Sequence, residues 1–156
     1  MDRKIEPLPP HVDPPPLDEC ALAGAIAEIG DRWTLLILRE AMCGVTRFET
    51  MQGDLGIPRS VLTGRLGDLT RRGIMEKFTY RQPPRRAFRA YRLTAKGRAL
   101  APALVALRQW ANDHVLAKPS RFEFVEAEGQ TVSTRLVRQD GRVVEAGSVL
   151  AKVASR

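Results

Sequence analysis

Pro58-Arg59-Ser60-Val61-Leu62-Thr63-Gly64-Arg65-Leu66-Gly67-Asp68-Leu69-Thr70-Arg71-Arg72-Gly73 is the stretch on which the fold turns. Pro58 suits a first helical turn and Gly73 a stop. Leu62, Leu66 and Leu69 recur with the helical period, so they form one buried stripe. At about 100° per residue, Ser60, Gly64, Gly67 and Arg71 fall on the opposite face, with Arg59 and Thr63 beside it. Upstream, Arg47 to Asp54 reads as a short helix with Phe48, Met51 and Leu55 inward, and Gly56 turns the chain between the two. Two short helices joined by a tight glycine-containing turn make a helix-turn-helix. Downstream, Ile74–Tyr80 and Ala87–Leu93 are strand-like, and Gln82-Pro83-Pro84-Arg85-Arg86 is a turn between them. This hairpin is the wing.

Working outward, Asp31 reads as the N-cap of an apolar helix from Arg32 to Met42, central to the core, with Gly44 at its end. Before it, Asp18 reads as the cap of a first helix carrying Leu22, Ile26 and Ile29, ended by Gly30. After the wing, Thr94 caps a long helix to about Leu116, with Leu100, Leu104, Leu107 and Ala111 along one side. Pro119 closes it. Residues 1–17 hold six prolines and have no core of their own. Residues 118–156 change character: Phe122–Val125 is strand-like, and Asp140-Gly141 is a hairpin signal between 131–139 and 142–145. The expected fold is α+β, mainly α. A disordered tail (1–17) precedes a winged helix-turn-helix domain with a long C-terminal dimerisation helix (18–117), and a small β-rich extension (118–156) follows.

Charge placement separates the function classes. Pro58 to Arg98 contains twelve of the 25 basic residues and two of the 18 acidic ones, a balance of +10, while the rest of the chain carries −3. One strongly cationic segment on a mildly acidic chain points to a polyanion docking on one face, which favours double-stranded DNA over a merely solvated surface. No stretch of about 18 apolar residues exists, which argues against a membrane span. The N-terminal segment lacks the apolar run of a secretory signal, so a cytoplasmic location is expected. No Ser/His/Asp set, phosphate-cradling loop or pair of buried carboxylates is evident, so the chain is not read as an enzyme. With two cysteines, Cys20 and Cys43, and two distant histidines, no metal and no cofactor is expected.

A helix in a major groove reads base edges from its N-terminal half. Arg59 is the candidate for a guanine edge, and Ser60 and Thr63 for bases or phosphates. Gly64 and Gly67 allow a close approach, or are simply tolerated. Arg71 shares that face, and Arg47 is a candidate backbone contact. Arg65, at the edge of the buried stripe, reads as a structural ion-pairing residue. Arg81, Arg85, Arg86 and Arg89 surround the stiff Pro83-Pro84 tip, suited to a minor groove or flanking phosphates. Leu100, Leu104, Leu107 and Ala111 are the candidate homodimer interface. Cys43, near the end of an apolar helix, reads as core. Two switching modes stay open: a thiol at Cys20, which begins a helix but has Asp18 and Glu19 beside it, or a small-molecule effector in a pocket between the dimer helices and the DNA-binding lobes. An adaptor that uses the winged helix without DNA is a further alternative.

These residues resemble the HxlR family of winged-helix regulators, within the broader MarR-like group. The resemblance runs from Cys20 to about His114. It is carried by Ile29-Gly30-Asp31-Arg32-Trp33-Thr34-Leu35-Leu36-Ile37-Leu38-Arg39-Glu40, Arg47-Phe48, Asp54-Leu55-Gly56-Ile57, Val61-Leu62-Thr63-Gly64-Arg65-Leu66, Tyr91-Arg92-Leu93-Thr94, Lys96-Gly97 and Trp110. It implies a homodimer on a palindromic operator, dimerised through the first and last helices, with Leu22 and Ile26 of the first in the interface and the helix from Pro58 in the major groove. Some relatives sense oxidants or electrophiles through the cysteine at the Cys20 position; a buried, inert Cys20 at a dimer interface is the alternative. Some relatives carry a cysteine-containing tail resembling a small zinc element. The stretch Arg135 to Arg142 has a similar layout without a cysteine.

Overall fold

Asp31 anchors the central helix through both carboxylate oxygens. Its Oδ1 accepts from the backbone N–H groups of Trp33 and Thr34, each at 3.1 Å, and its Oδ2 accepts from the Thr34 hydroxyl. These bonds satisfy donors that a helix start leaves orphaned. The computed structural model describes residues 13–82 and 86–152, with backbone alone at 81, 82, 86 and 87. In chain order the helices and strands are α1 (Ala21–Ile29), α2 (Arg32–Met42), α3 (Phe48–Leu55), α4 (Arg59–Arg71), β1 (Met75–Gln82), β2 (Arg86–Leu93), α5 (Ala95–Arg98), α6 (Ala101–His114), β3 (Leu136–Val137) and β4 (Val143–Val144). The α+β, mainly helical winged fold is the one expected.

The core is the meeting point of the stripes read from the sequence. Ile37 and Leu38 of α2, Met51 of α3, and Leu62, Leu66 and Leu69 of α4 are sealed from solvent together with Ile74 and Met75. Each such side chain contributes about 1.5–3 kcal/mol by leaving water. Gly56, at φ 59°, takes the left-handed conformation that closes α3 and reverses the chain into α4. β1 and β2 pair antiparallel, with Met75 opposite Leu93, Phe78 opposite Ala90 and Thr79 opposite Arg89. The hairpin is fastened at its base: the Tyr91 N–H donates to the Thr46 carbonyl at 2.9 Å, and the Thr94 N–H to the Ile74 carbonyl at 3.1 Å. Gly97 sits where a side chain would collide, because a Cβ there would lie 2.2 Å from the Ile74 oxygen.

Three expectations change. The first helix starts at Ala21, not at Asp18, which instead lies in a 3-10 turn over Leu17–Glu19. The long last helix is two helices, α5 and α6. Pro102 lacks the N–H that would bond back to Arg98, and its ring crowds that carbonyl, so the chain breaks at Ala99-Leu100. The expected strands of the extension shorten to the two-residue β3 and β4, with an isolated bridge between Val125 and Thr131.

The chain divides into two units. Residues 25–134 form one; residues up to 24 and from 135 onward form the other. Residues 120–134, assigned from the sequence to the extension, are built into the first. The Arg108 guanidinium donates to the Phe122 carbonyl, and the Ser120 N–H donates to Asn112 Oδ1 at 3.0 Å. Gln109 clasps Thr134 through three hydrogen bonds. Phe124 packs on the core. In the second unit, β3 pairs with β4, and Cys20 is half-buried. No helix among the described residues is long and apolar enough to cross a membrane.

Candidate nucleic-acid interface

The hydrophobic stripe of α4 settles which side faces out. With Leu62, Leu66 and Leu69 inward, Arg59, Ser60, Thr63, Gly64 and Arg71 are all exposed. A Cβ at Gly64 would meet nothing within 4 Å, so that side of the helix is open along its middle. Gly67 is half-buried beneath the Arg71 side chain, 3.6 Å from its Nη1.

Aromatic rings position the arginines at the front of the motif. The Arg59 guanidinium lies over the Phe48 ring at 4.9 Å, which holds the N-terminal end of α4 against α3. Arg47, whose backbone bridges to Ala90 of the wing, places its guanidinium 5.1 Å over Tyr80. Stacked cations of this kind stay charged and keep their N–H edges free for oxygen acceptors. Tyr80 in turn stacks on Phe88 across the strands at 5.6 Å. Neither stacking pair was read from the sequence. The available signal was the period of α3, which sends Phe48 toward the start of α4.

The remaining cations divide by partner. Arg71 pairs with Asp68 one turn earlier and is 74% exposed, so it is available yet already partly neutralised. The Thr63 hydroxyl donates to the Arg59 carbonyl at 2.9 Å, leaving its oxygen as an acceptor and its donor engaged. Ser60 has no such bond among the described residues. Arg65 is the ion-pairing residue expected, with Nε 3.3 Å from Asp31 Oδ1. Burial pushes the Asp31 carboxyl up, but the Thr34 hydroxyl and N–H, the Arg65 charge and the Trp33 N–H outweigh it and hold the carboxyl below its usual value. On the wing, Arg89 is exposed, whereas Arg92 bonds Glu76 at 2.6 Å and covers Phe78 at 5.0 Å. Arg85 and the side chains of Arg81 and Arg86 lie outside the described residues.

The expected interface stripe of the last helix is split. Leu104 is buried at 8% exposure within the core cluster and Leu100 packs against that cluster, lining a recess with Ala25, Ile29 and Ile74. Leu107, 52% exposed, and Trp110, 59% exposed, remain outside, and Ala111 is half-buried. Leu22 and Ile26 of α1 are exposed, at 70% and 59%. Cys43 is not core: it is the exposed C-cap of α2. Local desolvation and the Glu40 carboxylate push its thiol up, partly offset by Arg39.

A family model described as the HxlR-like helix-turn-helix matches residues 28–119, well over half of the sequence. The chain belongs to the HxlR-like helix-turn-helix family. Across 91 residues, 58% of its length, this HxlR-like chain is 45% identical to MT3179 of Mycobacterium tuberculosis (strain CDC 1551 / Oshkosh), an uncharacterized HTH-type transcriptional regulator. The match covers 56% of that relative, so the chain spans little more than half the length of the mycobacterial protein. The crystal structure of PA1607, named as a candidate transcription factor, superposes with a TM-score of 0.73 at 36% identity. That likeness covers 86% of this chain and 94% of PA1607, beyond the winged core. The redox regulator HypR in its reduced form gives a TM-score of 0.54 at 25% identity, over 60% of this chain and 92% of its own.

Proposed function

We propose that this HxlR-like protein is a sequence-specific DNA-binding transcriptional regulator, repressor or activator, that acts as a homodimer on a palindromic operator. The observation that carries the reading is the outward face of α4, where exposed Arg59, Ser60 and Thr63 lead into an open Gly64. A convex helix face with a cation and hydroxyls at its N-terminal end and no bulk in its middle fits a major groove. Arg59 is the base reader, and Arg47, Arg71 and Arg89 are backbone contacts. Arg81, Arg85 and Arg86 are further contacts, to a minor groove or to flanking phosphates. Leu22, Ile26, Leu107 and Trp110 supply exposed apolar surface for a second copy.

A gel shift with DNA from beside the protein's own gene, against random DNA of equal length, tests the assignment. Arg59→Ala weakens the specific complex by about 1–3 kcal/mol and the random one far less. Arg85→Ala lowers both alike and reduces the salt slope by about one. Equal losses on both DNAs for Arg59→Ala refute base reading by α4.

A thiol switch is the second reading, supported by half-buried Cys20 just ahead of α1 and by the likeness to HypR. Cys20→Ser abolishes the response of DNA binding to diamide if that reading holds, and an unchanged response removes it.

A further inference from the structure

Behind the wing, inside the 25–134 unit, lies a cavity of about 500 Å³. That volume is in the range of small-molecule sites. Its body is apolar, formed by Met42, Leu93, Val105, Phe124 and Val132. The ionisable residues that line it are Arg92 and Arg98, both cations, with no carboxylate among them. Their situations differ. Arg92 bonds Glu76 at 2.6 Å, so its charge is matched. Arg98 donates from Nη1 to the Leu93 carbonyl at 2.8 Å and has no carboxylate partner among the described residues.

We infer that this cavity is a binding site for a small amphipathic acid, an aryl or branched-alkyl carboxylate, whose apolar body fills the space between Met42, Phe124 and Val132 and whose carboxylate meets Arg98. A half-open apolar cleft with a single unmatched, exposed guanidinium at its edge rewards one negative charge on a hydrophobic frame. A cation would face two arginines, with no carboxylate among the lining residues. The outer wall is held in place before any ligand arrives. The Val132 N–H donates to the Phe124 carbonyl at 2.9 Å, and Arg108 and Gln109 hold the two ends of that segment. The inner wall includes Ala41, Met42, Gly44 and Thr46, the link that leads from α2 into the helix-turn-helix. An occupant therefore touches the segment that carries α3.

Isothermal titration of the full chain with 2-naphthoate and with its neutral analogue 2-naphthamide, both without DNA, tests the site. One naphthoate binds per chain, and the amide binds at least about ten-fold more weakly. Arg98→Gln removes that preference by lowering naphthoate affinity about ten-fold while leaving the amide unchanged. Val132→Trp fills the chamber and abolishes both, and Ala101→Phe, on another wall, decides the point if Val132→Trp does not fold. No saturable binding, equal binding of acid and amide, or unchanged naphthoate affinity in Arg98→Gln overturns the inference. So does a filling variant that dissociates a paired protein while naphthoate fails to bind, since the chamber then belongs to a contact between copies. Because DNA is absent from the titration, these failures leave the regulator reading standing.

Discussion

Asp31→Ala removes three interactions at once, and their sizes can be separated. The N-cap bonds to Trp33 and Thr34 are worth about 1 kcal/mol. Thr34 is only 3% exposed, so its hydroxyl, deprived of Oδ2, is left buried without its acceptor at a cost of about 1–3 kcal/mol. The ion pair with Arg65 joins side chains 39% and 33% exposed, and solvent screening limits it to about 0.5 kcal/mol. The expected loss is about 2.5–4.5 kcal/mol. Urea unfolding followed by far-ultraviolet circular dichroism reads it as a midpoint lowered by about 1–2 M, for a slope near 2 kcal/mol/M. Asp31→Asn keeps an oxygen for the cap but puts an amide NH2 where Oδ2 accepts from the Thr34 hydroxyl. That amide can donate to the hydroxyl oxygen instead. The variant loses the charge and one acceptor, so its loss stays below that of Asp31→Ala, at about 1–2 kcal/mol. Equal shifts for the two variants would refute the reasoning, because the capping geometry would then contribute nothing. Acidity supplies a second check. A carboxyl whose folded value is depressed stabilises above its unfolded value, and that stabilisation disappears as pH falls through the folded value. The charge-dependent part of the gap between wild type and Asp31→Asn is therefore full near neutrality and is lost below about pH 4.

Further substitutions address other parts of the molecule. Gly97→Ala forces a Cβ to 2.2 Å from the Ile74 oxygen, so α5 must lift off the base of the wing. A destabilisation of about 1–3 kcal/mol in thermal unfolding is expected. Gly64→Ala meets open space and gains up to about 1 kcal/mol of helix stability, yet weakens operator retention in a gel shift if the DNA backbone comes as close as proposed. A raised melting temperature with undiminished DNA affinity would argue against that close approach. Replacing exposed Leu107 and Trp110 together by glutamate yields monomers in sedimentation velocity with an intact circular dichroism spectrum. A persistent dimer would place the contact elsewhere.

Periodicity made the helix-turn-helix legible. The spacing of Leu62, Leu66 and Leu69 fixes the buried side of α4, and Asp31 fixes the start of α2, because both signals are local. The break before α6 could also have been read: Pro102 falls within the expected last helix, and its missing N–H had a local consequence. Other features had no local signal. Leu104 and Leu107 are both leucines on one helix, and only the tertiary packing decides that the first is core and the second exposed. Cys43 ends outside because α2 stops at Met42. The return of Phe124 to the core joins residues far apart in the chain through the Arg108 and Gln109 anchors, and it forms a wall of the cavity. The candidate bases on α4 were named from its face, while the rings beneath Arg59 and Arg47 depend on how α3 and the wing meet.

The C-terminal end of α4 is tied down more firmly than its N-terminal end. The Arg72 guanidinium donates to the carbonyls of Ala27 and Glu28, while Lys96 Nζ donates to the Arg72 carbonyl at 2.9 Å. One arginine thus knots three elements together just past the last turn of the helix. The 13 residues of α4 extend from this knot as a rod about 20 Å long. A rotation of only about 5° at the knot swings the Arg59 end by about 1.7 Å, more than half a hydrogen-bond length. The end of α1 is therefore the fulcrum of a lever, and small tilts of that helix would be magnified at the opposite tip.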